Sequence, residues 1–286
     1  MLDAATVAEV VQNALTEDAP WGDVTCAALV PDSAVAIADL VGREAGVFAG
    51  AAPLQAAFEL TDATIAVEMA VADGDRFPAG AQLARVTGPA AGVLRAERIA
   101  LNFSQRMCGI ATATAGYVDA VAGTGVRIAD TRKTTPGLRA FERAAVRAGG
   151  GHNHRYSLSD AVMVKDNHLA VMLAEGVDLT TAIRSIRDRI PHTTTVEVEV
   201  DRLSLIEPVL AGGVDVIMLD NFTIEELRQG VQLVGARAVV EASGNVRMDT
   251  VAQIAATGVD VISIGALTHS AGSLDLGLDV VVTAGP

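Results

Sequence analysis

The sequence predicts an α/β chain: a mixed α+β N-terminal domain, then an incomplete β/α barrel of about seven strands. Three observations carry this. From Val126 onward, short apolar runs recur: 126–132, 161–167, 195–201, 215–221, 238–244 and 261–267. Helix-like stretches lie between the later runs, which start about 22 residues apart, the repeat of a buried parallel sheet. The composition, 50% hydrophobic with 27 glycines and only 3% aromatic residues, favours close-packed helices and strands over an aromatic binding surface.

Taken in order, Val7, Val10, Val11 and Leu15 stand at helical spacing, which predicts an amphipathic helix over residues 3–16. Residues 35–50 alternate loosely and break at glycines, as strands do. Further strands are expected at Ile65–Val71 and Gln82–Val86, separated by the turn-rich ADGDRFPAGA. A long helical pattern follows from about Gly92 to Ala122. The expected division is a first domain over 1–106, a barrel over 107–271, and a tail, 272–286, that rejoins the first domain.

The 286 residues suffice for a large core, and the two cysteines, Cys26 and Cys108, form no CxxC pattern. The N-terminus does not read as a signal peptide, and no run of about 18 apolar residues is free of glycine and charge. A cytoplasmic protein with no membrane partner is therefore expected. The net charge of −14 argues against nucleic acid and anionic lipid as partners. Against that background a local cluster of cations is informative.

The barrel runs end in such residues: Thr131, Arg132 and Lys133; Lys165; Glu199; Asp220; Ser243 and Gly244; Gly265. Strand C-termini of a barrel open on one face, where active sites form. Arg132, Lys133, Arg155 and Lys165, with His154 and His269, would then make a positive mouth for a multiply charged anion. Surface salt bridges would account for any one of them alone. The segments EASGN (241–245) and SIGAL (263–267) precede expected helices and suit a phosphate, although ordinary turn glycines look the same. In TVEVEVD, alternation puts Glu197, Glu199 and Asp201 on one side, as sugar or Mg²⁺ ligands or as partners of the cations. A Schiff-base aldolase built on Lys165 and a non-catalytic ligand binder both remain compatible with these residues.

The run DTRKTTPGLRAFERAAVRAGGGHNHRYSLSDAVMVKDNH from Asp130 resembles the core signature of quinolinate phosphoribosyltransferases. AERIALNFSQRMCGIATATAGYVDAV (96–121), REAGVFAG (43–50), EVEVD (197–201), LDNF (219–222), EASGN, GALTHS (265–270) and GDVT (22–25) do likewise. The departures are Cys108, where serine is usual, and Met163-Val164 before Lys165. The resemblance implies a TIM-like barrel with fewer than eight regular strands and a homodimer with active sites shared between subunits. The implied reaction is transfer of phosphoribosyl from phosphoribosyl pyrophosphate to quinolinate with decarboxylation, in pyridine-nucleotide synthesis. It implies Mg²⁺ with the pyrophosphate donor and no tightly bound organic cofactor. It further implies that Arg98 reaches a quinolinate carboxylate across the dimer, with Thr131, Arg132, His154 and Arg155 around the same diacid. Lys133 and Lys165 would lie between the two substrates, and Glu199 and Asp220 would face ribose and, indirectly, Mg²⁺. Ser243, Gly244, Gly265 and Ala266 would cradle the 5′-phosphate, with His269 close by.

Overall fold

The computed structural model describes residues 2–174 and 176–283. In chain order the elements are α1 (Ala4–Asp18), α2 (Val24–Leu29), β1 (Val35–Gly42), β2 (Gly46–Val47), α3 (Ala51–Thr61), β3 (Ala66–Met69), β4 (Arg76–Phe77) and β5 (Gln82–Pro89). The long α4 (Ala90–Ala120), β6 (Arg127–Ala129), α5 (Arg139–Ala148), β7 (Val162–Val164), α6 (Asp166–Ala174), α7 (Leu179–Arg187) and β8 (Val196–Val200) follow. The chain continues through α8 (Ile206–Ala211), β9 (Val216–Asp220), α9 (Ile224–Val234), β10 (Val239–Ser243), α10 (Val251–Ala255), β11 (Val261–Ser263), α11 (Ala266–His269) and β12 (Leu276–Thr283).

Two compact units result. The first comprises residues up to 115, 134–150 and 267 onward; the second comprises 116–133 and 151–266. Residues 107–115, 134–150 and 267–271, expected with the barrel, group with the first unit. The last three residues of the expected tail, and Met1, lie outside the described residues.

The first unit is built on a four-stranded antiparallel sheet, β12-β1-β5-β3. Along β1, Ala36, Ala38 and Leu40 are fully buried and alternate with more exposed residues, the period-2 pattern of a sheet covered on one face. α1 buries Val7 and Val11, one turn apart, and packs on α3, whose Leu54, Ala57 and Phe58 are fully buried. α3 starts at Gly50, whose φ of +112° only glycine adopts readily. Its free N–H groups at Gly50 and Ala51 donate to Asp73 Oδ1, at 2.9 and 3.1 Å. Within this unit Glu142 of α5 is fully buried and is held by Arg106 of α4, at 2.7 Å, and by the Thr135 hydroxyl, at 2.8 Å. Arg106 also donates to the carbonyls of Thr268 and Ala271, so one guanidinium joins three stretches of chain.

The second unit holds a six-stranded parallel sheet in the order β6-β11-β10-β9-β8-β7. All six expected runs form strands. The count of about seven is corrected to six strands and one isolated parallel bridge, Ala129 with His152. The glycines at 149–151 leave that seventh position only a single residue of pairing. The fold is thus an incomplete TIM-like barrel. Asp215 and Asp260 accept N–H groups at the starts of β8 and β10, from Val196, the first residue of β8, at 2.7 Å and Val240, the second of β10, at 2.8 Å. Val198, Val200, Ile217, Leu219, Val240 and Ala242 are buried on one side of the strands. The alternate positions carry Glu197, Glu199, Met218, Asp220, Glu241 and Ser243, and register aligns Met218 with both Glu199 and Glu241 and Asp220 with Ser243. Polar chemistry therefore collects on one side of a hydrophobic sheet.

Candidate active site

At the strand ends of the second unit, Thr131, Arg132, Lys133, His154, Arg155, Met163, Lys165, Glu199, Met218, Asp220, Ser243 and Ser263 line a cavity of about 390 Å³. Nine of the sequence-predicted residues meet here. Gly244, Gly265 and Ala266 stand at the same strand ends without lining the cavity. Arg98, exposed on α4, and His269, exposed in α11 and 2.6 Å from the Ser270 hydroxyl, belong to the first unit.

The cations are placed by backbone. β6 ends at Ala129, and the next residues, Asp130 to Lys133, leave the sheet at its C-terminal edge. The Thr131 hydroxyl accepts the Lys133 N–H at 3.1 Å and tightens that turn. Burial lowers the Arg155 pKa, and the like charge of Arg132 lowers it further, with Glu197 and Asp160 opposing. Two guanidinium groups are thus held within mutual repulsion. The Arg132 Nε is buried without a hydrogen-bond partner among the described residues. A buried donor left unsatisfied costs about 1–3 kcal/mol, which an anion in the cavity would recover. Lys165 forms an ion pair with Glu199, whose side chain is 16% exposed, so the lysine is oriented across the cavity.

The β9 and β10 ends carry the backbone strain. Asn221 (φ 59°), Gly244 (φ 92°) and Asn245 (φ 51°) are all left-handed. Asn245 donates to the Asn221 side chain at 3.0 Å, and the Asn221 N–H donates to Ser243 O at 2.9 Å. A Cβ on Gly244 would sit 2.2 Å from Asn221 Oδ1, so only glycine fits. Strained backbone held this way is characteristic of ligand-contacting loops. Asn221 donates to Asp220 at 2.7 Å and orients that carboxylate. Glu199 and Asp220 offer hard oxygen donors at the cavity wall, a set that suits Mg²⁺ retaining some of its waters.

Sequence reasoning assigned no role to Asp130, Glu241 and Ser263, whereas it offered Glu197 as a ligand or as a partner of the cations. Asp130, fully buried, accepts the His154 N–H at 2.7 Å and the Asn153 side chain at 2.6 Å, pinning the 152–155 segment. Glu241 (3% exposed) and Glu197 (4%) face His154 Nε2 from β10 and β8, at 3.4 and 3.2 Å. Burial raises the Glu197 pKa, opposed by the hydrogen bond from His154. Ser263, like Met163 and Met218, lines the cavity floor from a strand. Asp130 was visible as the polar end of a run; Glu241, a lone acid in an apolar stretch, carried no signal of its role.

A strand-end cavity that gathers four cations and two carboxylates in a chain of net charge −14 defines an anion-binding barrel site of the enzymatic type. Residues 23–108 match the N-terminal domain, and residues 110–279 the C-terminal domain, of quinolinate phosphoribosyl transferase, and the chain belongs to this family. It is 42% identical over 281 residues to the nicotinate-nucleotide pyrophosphorylase (carboxylating) of Mycobacterium leprae, covering 95% of this chain and 96% of that one. It is 39% identical over 267 residues to the probable enzyme of that name from Bacillus subtilis, covering 93% and 91%. Among solved structures, NadC from Streptococcus pyogenes superimposes with a TM-score of 0.93 at 40% identity, covering 99% of this chain and 98% of that one.

Proposed function

We propose that the cavity binds quinolinate beside phosphoribosyl pyrophosphate and joins them, giving nicotinate mononucleotide, pyrophosphate and carbon dioxide. The observation that carries this reading is the pair Arg132 and Arg155, two guanidinium groups held together in one partly buried cavity. A planar diacid satisfies two forks at once. Lys133 and Lys165 line the same cavity and suit the charges of the second substrate, and Ser243 offers a hydroxyl donor for a phosphate at the cavity wall.

The pyridine nitrogen forms a bond to the anomeric carbon as the bond to pyrophosphate breaks, through a transition state with positive charge on the sugar. Glu199 and Asp220 face that charge, and the lysines face the departing pyrophosphate. Mg²⁺, when bound through Glu199 and Asp220 and their waters, would supply further charge neutralisation to the phosphates. The C2–carboxylate bond then breaks, carbon dioxide leaves, and the electron pair stays on C2, stabilised by the adjacent positive nitrogen, until a proton is taken up there. Positioning and electrostatics carry the rate.

The same reading includes a homodimer in which Arg98 of one subunit completes the cavity of the other, supported by the exposure of Arg98. It also includes a cytoplasmic location, supported by two cysteines that are buried and free, as in a reducing compartment. Among the described residues no helix is long and apolar enough to cross a membrane. The decisive experiment mixes purified protein with quinolinate, phosphoribosyl pyrophosphate and Mg²⁺ and follows product by mass and released carbon dioxide. Nicotinate mononucleotide is expected with quinolinate as acceptor and not with nicotinate; product from nicotinate alone, or none from either, overturns the reading.

A further inference from the structure

His154 is the pocket residue whose surroundings fit its expected role least simply. Its Nε2 faces two buried carboxylates, Glu197 at 3.2 Å and Glu241 at 3.4 Å. Its Nδ1 accepts the backbone N–H of Arg155 at 2.8 Å. In this geometry Nδ1 is an acceptor, so the ring carries its proton on Nε2 and donates it toward the carboxylates. Burial opposes charge on the ring. Hydrogen bonds to Glu197 and then Glu241 outweigh that and push its pKa up to about 10, yet a second proton would have to displace the Arg155 N–H from Nδ1. Both ring nitrogens are therefore committed within the protein. Each carboxylate keeps an Oε1 buried with no hydrogen-bond partner among the described residues. Two unsatisfied buried acceptors are a feature that calls for a reason beyond packing.

The reason lies one residue on. The segment Asn153–Arg155 is fastened from three directions: Asp130 takes the His154 N–H and the Asn153 amide, His154 holds the Arg155 N–H, and Arg155 Nη1 donates to Ala161 O at 2.9 Å. We propose that Glu197 and Glu241 are positioning residues that clamp the His154 ring from inside the barrel and thereby set where Arg155 presents its guanidinium to the acceptor diacid. His154 acts through Arg155, and the clamp works by hydrogen-bond geometry, resting on the reading of the pocket given above.

The test compares Glu241→Ala, Glu241→Gln and His154→Gln with wild type by titration calorimetry with quinolinate, by KM for each substrate, and by elemental analysis. Glutamine at 241 keeps an acceptor for Nε2–H, whereas alanine removes it. Expected are an about tenfold or larger loss of quinolinate affinity in E241A and H154Q, and a phosphoribosyl pyrophosphate KM within about twofold. E241Q should restore quinolinate affinity to within about threefold of wild type. Equal losses for both substrates, or unchanged quinolinate affinity in E241A, overturn the inference. Should E241A fail to fold, H154Q decides by the same criterion, and a folded E241Q as weak as an alanine variant overturns it as well. One equivalent of divalent metal in wild type that is lost in E241Q would replace the clamp by a metal site, since the three side chains bring ligand atoms within 4.8 Å of one another. A wild type that neither binds nor turns over quinolinate sinks the proposed function along with the clamp; a wild type that does both beside an unaffected E241A sinks the clamp alone.

Discussion

Arg132 and Arg155 line one cavity and repel each other, and the buried Arg132 Nε has no hydrogen-bond partner among the described residues. Removing one fork, as in Arg132→Ala, should remove a charge-assisted hydrogen bond worth roughly 1.5–3 kcal/mol, or about ten- to a hundredfold in quinolinate KM or kcat/KM. Steady-state kinetics with each substrate varied in turn checks this; an unchanged quinolinate KM and turnover would remove Arg132 from the site. Gly244 makes a separate case. Its positive φ and the 2.2 Å approach of Asn221 to any Cβ mean that Gly244→Ala must displace the segments that follow β9 and β10. The variant should saturate poorly with phosphoribosyl pyrophosphate while keeping its affinity for quinolinate. The two thiols behave oppositely to reactive cysteines: burial pushes Cys108 up to about 12 and Cys26 up to about 11. A raised thiol pKa means the protonated form persists well above neutrality, so a disulfide reagent at about pH 8 should label neither in the folded protein and both after unfolding.

At the scale of elements, a buried carboxylate ties α4 and α5 together in the first unit. Glu142 is fully buried and receives Arg106, the Thr135 N–H and the Thr135 hydroxyl. Glu142→Ala removes the carboxylate from Arg106, which keeps the carbonyls of Thr268 and Ala271, and should destabilise the protein by about 1–3 kcal/mol, read as a shift of the denaturation midpoint. Polar residues at strand ends were legible in the sequence, because a parallel strand reads as an apolar run and its end as the first break. α3, α2 and β12 were not. α3 starts at a glycine with no side-chain cap, its N–H groups served by Asp73 from another loop. β4 falls inside a stretch that reads as turn, since two residues of pairing with β2 leave no periodic pattern.

At the scale of the whole molecule, the shared-site reading has its own test. Arg98→Ala and Lys165→Ala should each be nearly inactive, yet mixing and re-associating the two should restore about a quarter of wild-type sites. Random pairing makes half the dimers mixed, each with one intact site. Failure to recover any activity in re-associated dimers would place Arg98 in its own subunit's cavity or in none. The division into compact units was only partly visible in the sequence. Residues 267–283 return to the first unit because Ala36 pairs with Val282 and Leu40 with Leu278, contacts that span most of the chain. On α4, Gly109 admits them: a Cβ there would lie 1.9 Å from Gly272 O.

The sequence by itself determined the class of fold, the face on which the site lies and the charges gathered there. Those depend on local information: apolar runs of strand length, the residues that end them, and motifs of known chemistry. The tertiary structure alone decided that Glu241 and Glu197 meet at His154 and that Asp130 holds the His154–Arg155 turn. Partnership between residues far apart in sequence is set by strand register and by how the sheet curves, and neither is encoded in the pattern of any one strand.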